Sequence, residues 1–215
     1  MTRRRRSVLG REGLDFVSKA RDLTLPDVER LLLSPWHEER MLAVVILVHR
    51  FSRPDAAARR AIFALYLRRR RRINNWDLVD VSAEHILGPS LTNPRVRALQ
   101  RSSNVWDRRM AVLATGHQIR AGRYAPTLAV AGALLTDRHD LIHKAVGWML
   151  REVGKRDLSA ETRFLDRHAA RMPRTMLRYA TERFPERLKR RYLLKTAGKW
   201  RGRVPVGAQL GILPA

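Results

Sequence analysis

The chain has 215 residues, 45% hydrophobic and 30% charged, which suits one folded core or one run of repeats and excludes a generally disordered polymer. It carries 44 Lys and Arg against 20 Asp and Glu, a net charge of +24, and its basic residues are 38 Arg to 6 Lys; an excess of that size points to a polyanionic partner, nucleic acid ahead of an anionic membrane surface. The absence of cysteine excludes disulfides, Cys-based zinc sites and thiol nucleophiles. Codon bias can favour Arg over Lys, but it does not make acidic residues scarce. No apolar run reaches the roughly 18 residues of a membrane-spanning helix, and no apolar signal core follows the basic opening MTRRRRSVLGREG, so a cytoplasmic protein is expected.

Taken in chain order, the sequence reads as helix after helix. Ser34-Pro35 opens WHEERMLAVVILVHRF, Trp36 to Phe51, whose apolar Met41, Leu42, Val45, Ile46 and Val48 suit a largely buried helix. Pro54-Asp55 starts a helix over 56–70. Asn74-Asn75 caps 76–87, which Gly88-Pro89 ends. Asn93-Pro94 opens a short helix to Arg101, and Ser102-Ser103-Asn104 caps 105–119. Segments 124–135, 141–153, 159–170 and 173–184 follow, each bounded by Gly, Pro, Asp or Ser. No segment alternates at period 2, so no sheet is expected.

A basic residue followed by small or apolar residues recurs at Arg40, Arg109, Lys144 and Arg178, with gaps of 69, 35 and 34 residues. A period near 35, with one unit missing near Asn74-Asn75, is the length of a helix pair and its turns. An all-α solenoid is therefore expected, the second helix of each pair lining a concave face. Residues 1–12 read as a disordered basic N-terminus, 13–197 as the repeat domain, and 198–215 as an irregular tail.

Phosphate-cradling glycine loops, nucleophile-elbow serines and HExxH are absent. His139 and His143 have an i, i+4 metal spacing, but no third ligand is near in sequence, so no metal is expected. The informative segment is INNWDLVDVSAEHILG, Ile73 to Gly88, in which Trp76 and Asp80 share one helix face. An unpartnered buried Asp is costly, so on this segment alone Asp80 caps a helix or pairs with an arginine of a neighbouring one. Arg109, Lys144 and Arg151 are basic residues on otherwise apolar helices, and Trp148 sits among them. If those helices stack, a carboxylate and two indoles meet in a basic groove, an arrangement suited to stabilising a sugar cation on a phosphate backbone. The run Arg68 to Arg72 reads equally as a solvated helix C-terminus or as a phosphate contact.

With SPWHEERMLAV, NNWDLVDVSAEHILG, VWDRRMAVLAT and LIHKAVGWMLREVGK in this order, the chain resembles the AlkD-like family of DNA alkylation repair proteins, from about Leu31 to Arg187. The resemblance implies a right-handed α-solenoid of HEAT-like repeats with a concave basic DNA-binding groove. It implies a glycosylase acting on N3- and N7-alkylated purines in duplex DNA. Asp80 matches the catalytic aspartate, Trp76 and Trp148 the tryptophans flanking the lesion sugar, and Arg109 the arginine that holds the backbone. Arg151 matches a further basic position, Lys144 and Arg108 are added as DNA-binding candidates, and Trp106 is assigned to the core. With no lysine placed for a Schiff base, no lyase step is expected. A monomer is expected, without cofactor or metal, in the cytoplasm and associated with the nucleoid. The region before Leu31 lacks the family's opening helical pair. The alternatives are a non-catalytic DNA-binding repeat protein, a protein scaffold and, from charge alone, an RNA binder.

Overall fold

The computed structural model describes residues 23–200, with side chains through Leu194. The segment 1–12 and the tail beyond Trp200 lie outside the described residues. Among the described residues every regular element is helical. Helix α1 (Leu25–Leu33) is followed by α2 (His37–Phe51), α3 (Ala56–Arg69), α4 (Trp76–Ile86), α5 (Pro94–Ala98), α6 (Val105–Ala114) and α7 (Gly116–Arg120). Then come α8 (Ala125–Ala133), α9 (Asp140–Gly154), α10 (Leu158–His168), α11 (Arg174–Ala180) and α12 (Glu186–Trp200). Single 3₁₀ turns extend several of them, as at Arg70–Arg72 and Ala169–Arg171.

The helix starts follow from local chemistry. Asp55, Asn75, Asn93, Asn104 and Asp157 each accept a hydrogen bond from a first-turn N–H of the helix they precede, satisfying donors that have no partner inside the helix. Helix α1 has a capping box: Asp27 N–H donates to Thr24 Oγ1 at 3.3 Å, and Thr24 N–H donates to Asp27 Oδ2 at 2.9 Å. This helix was not anticipated, although TLPD carries its signal. Helix α2 starts at His37 with no side-chain cap; Ser34 Oγ instead accepts from Trp36 N–H at 3.1 Å.

The expected single helix over 105–119 is two. Thr115 turns its hydroxyl back onto the Val112 carbonyl at 2.7 Å, a local bond that competes with helix continuation. Gly116 then begins α7 against the Glu84 carboxylate, where a Cβ would fall 2.7 Å from Glu84 Cδ.

Helices α2, α4, α6, α9 and α11 form a series in which each packs on the next. Their shared core runs through Val44 and Leu47, Leu78 and Ile86, Met110 and Ala114, Val146 and Leu150, then Met176 and Leu177, all buried. Helices α3, α8 and α10 also pack on members of that series, and α5 packs on the 3₁₀ turn Leu99–Arg101 that adjoins α6. Gly147 permits the tightest approach: a Cβ there would lie 2.4 Å from the Met176 carbonyl oxygen and 2.5 Å from Tyr179 Cβ, so α11 rests directly on the α9 backbone.

Candidate active site

Five of the seven residues singled out from sequence line one cleft of ≈ 350 Å³: Trp76 and Asp80 from α4, Arg109 from α6, Lys144 and Trp148 from α9. Leu141 and Tyr179 complete it. The residues converge because α4, α6, α9 and α11 are consecutive members of the stacked series, and because Trp76–Asp80 and Lys144–Trp148 are i, i+4 pairs on their helices.

At the centre, Arg109 grips Asp80. Nε donates to Oδ1 at 2.8 Å and Nη2 to Oδ2 at 2.7 Å, the fork-on-fork geometry of a guanidinium–carboxylate pair. Nη1 donates to the Leu141 carbonyl at 2.7 Å, tying α4, α6 and the start of α9 together. The Arg109 side chain is 6% exposed and Asp80 16%, so the carboxylate opens into the cleft while its partner lies behind it. Asp80 does pair with an arginine of a neighbouring helix, as its residue chemistry required, and it also faces the cleft.

Trp76 is 55% exposed at the first turn of α4, and Trp148 is half-buried across the cleft. Lys144 ion-pairs with Asp140 at 2.8 Å. That hydrogen bond and charge hold the ammonium above its usual range and the Asp140 carboxyl below its own. Lysine is thus present in the cleft, in a form that holds its proton.

The other two candidates point elsewhere. Arg108 donates to both Asp137 oxygens, at 2.6 and 3.3 Å, and to the Ser102 and Ser103 carbonyls at 2.9 Å each. Arg151 pairs with Glu182 and does not line the cleft. Beside Arg151 lies Glu161, 1% exposed, whose Oε1 has no hydrogen-bond partner among the described residues. Burial pushes its carboxyl up to about 9, against the pull of Arg151.

The run Arg68 to Arg72 resolves residue by residue. Arg68 and Arg69 pair with Glu29 at 2.9 and 2.5 Å, Arg70 with Asp107 at 3.2 Å, and Arg72 donates to the Leu33 and Ser34 carbonyls at 2.6 and 2.8 Å. Arg71 is exposed. His139 caps α9, Nδ1 accepting from Leu141 N–H at 3.2 Å, and His143 Nε2 donates to the Asp137 carbonyl at 2.6 Å. Among the described residues no group of three or more His, Asp or Glu could hold a metal ion. Trp106 packs against the core. Sequence reasoning missed Tyr179, whose signal was the small residue facing it, Gly147.

A family model described as DNA alkylation repair enzyme matches residues 12–184. No curated protein and no solved structure matches the chain.

Proposed function

The chain belongs to the DNA alkylation repair enzyme family, and on that footing we propose that it is a DNA glycosylase that hydrolyses the N-glycosidic bond of N3- and N7-alkylated purines in duplex DNA. The observation that carries this reading is the placement of the Asp80 carboxylate in one cleft with Trp76 and Trp148.

An N3- or N7-alkylated purine already bears a positive charge and leaves without protonation by a strong acid. The enzyme's task is to stabilise the deoxyribose as it becomes oxocarbenium-like and to deliver water. Asp80 opposes that developing charge and accepts a proton from the attacking water. The indole faces of Trp76 and Trp148 favour a cationic sugar between them. Arg109 positions Asp80 through both carboxylate oxygens. Its outer N–H groups and Lys144 serve the flanking phosphates. Most glycosylases flip the target base into a pocket; here an exposed Trp76 suits entry of the sugar and backbone with the base left in the stack. A protonated Lys144 is a poor amine nucleophile, so the product is an abasic site and not a nicked strand. The neighbour-on-neighbour packing of α2, α4, α6, α9 and α11 supports a HEAT-like solenoid, right-handed as the family resemblance implies, its inner helices bordering a basic groove.

The test is base release from duplexes containing N7-methylguanine or N3-methyladenine, with Asp80→Asn beside the intact chain. Release by the intact chain, lowered at least about a hundredfold in Asp80→Asn while duplex binding persists, is the expected result. Binding without release by either would leave a non-catalytic DNA-binding repeat protein.

A further inference from the structure

A second tryptophan-bearing edge adjoins the cleft, and no part of the reaction above uses it. Trp36 is 67% exposed at the start of α2, an unusual position for the largest apolar side chain. Its main chain is nevertheless fixed. Arg40 Nη1 donates to the Ser34 and Pro35 carbonyls at 3.0 and 2.7 Å, Arg72 Nη2 donates to the Leu33 and Ser34 carbonyls, and Trp36 N–H donates to Ser34 Oγ. The next residue, His37, donates from Nε2 to Asp77 Oδ2 at 2.8 Å. Asp77 follows Trp76 directly, so one hydrogen bond pins together the turns that carry exposed Trp36 and Trp76.

A rigid, exposed aromatic costs little entropy to bind, and partners use such side chains as anchors. The turn that carries the ring is braced by Arg40 and Arg72, in a chain of net charge +24. We propose that Trp36 is a second DNA-stacking residue: it seats against the sugar or base of a duplex nucleotide flanking the one held in the cleft, so the binding surface continues from α4 onto the start of α2. This deepens the reading of the same site and rests on its DNA-binding part, not on base excision. Exposed Glu38 and Glu39 follow Trp36, so it is continuity with the cleft, through the His37–Asp77 bond, that favours a nucleic-acid strand as the occupant.

The experiment uses the full chain, Trp36→Ala and Trp36→Phe, with fluorescence anisotropy on a duplex carrying a central tetrahydrofuran abasic analogue, over a range of salt. Trp36→Ala is expected to weaken binding at least about fivefold. The slope of log Kd against log salt should not move, because an indole releases no counterions. The melting temperature should also hold, because the side chain packs against little. Trp36→Phe should stay within about twofold of the parent, since a smaller ring still stacks. Equal binding by Trp36→Ala and the parent, a Phe variant as weak as the Ala variant, or no duplex binding by the parent would each overturn the proposal. Base release by the parent is scored separately. Binding that needs Trp36 without release removes the glycosylase and keeps this inference; release that is indifferent to Trp36, with binding unchanged, does the reverse.

Discussion

Arg109 spends all three nitrogens inside the protein, two on Asp80 and one on the Leu141 carbonyl, so its first duty is to hold the carboxylate still and its second is whatever its outer N–H groups reach. A lysine could supply the charge but not the fork. The pair was half legible in the sequence. The i, i+4 spacing of Trp76 and Asp80 placed them on one face, and the cost of an unpartnered Asp demanded a cation, but neither could say which of 38 arginines would answer. Arg108 shows why: it is adjacent to Arg109 on the same helix and turns to Asp137 instead. Glu161 shows the same limit. Nothing in LSAETRFLDRH announces that this acid is buried against the Gly154 backbone, where a Cβ would meet its Oε2 at 1.6 Å. With its carboxyl raised from 4.5 to about 9 in the fold, the native state holds that proton more tightly than the unfolded chain. Its contribution to stability is complete below pH 4.5 and is lost as pH rises toward 9. Glu161→Gln, which cannot ionise, is expected to be more stable than the parent at pH 8 by on the order of 2 kcal/mol, or about 4–8 °C in Tm. At pH 4.5 the two should melt together, and thermal melts at both values check it.

Among the elements, starts were easier to read than ends or pairings. Asn75, Asn93 and Asn104 announced α4, α5 and α6 by side-chain chemistry that acts within three residues. Helix α12 was overlooked because its described stretch, ERLKRRYLL, is crowded with charge and little of it faces a core; Tyr192 alone is buried there. The α9–α11 contact is tertiary and was invisible as such, although it depends on a single missing Cβ. Gly147→Ala would drive a methyl into the Met176 carbonyl and Tyr179 Cβ, neither of which can yield without shifting α11. Overpacking of this kind costs about 1–3 kcal/mol. Because Tyr179 forms part of the cleft wall, base release should fall together with Tm, and differential scanning calorimetry beside the release assay separates this from a surface change that moves neither.

At the scale of the whole molecule, the all-helical pattern was legible because turn punctuation recurs between apolar-periodic stretches. The course of the stacked series was not, since it depends on which apolar faces meet. The positive charge has two uses, and only part of it is available to a polyanion. If cations left on the surface contact phosphates, affinity for undamaged duplex should fall at least about tenfold between roughly 50 and 200 mM salt. Filter binding across that range checks it, and a flat profile would mean that apolar contacts dominate.

The internally bonded arginines carry a consequence for composition itself. Arg40, Arg72 and Arg108 each reach two main-chain carbonyls in the turn ahead of a helix, Arg40 and Arg108 bracing the start of their own helix and Arg72 reaching across from the end of α3. A version of the chain with every arginine exchanged for lysine would have the same formal charge and much the same long-range attraction for DNA, yet it would lose the forks that Arg108 sets on Asp137 and Arg109 on Asp80. Basicity and architecture are a single number when the residues are counted; they come apart when the arginines are sorted by what they hold.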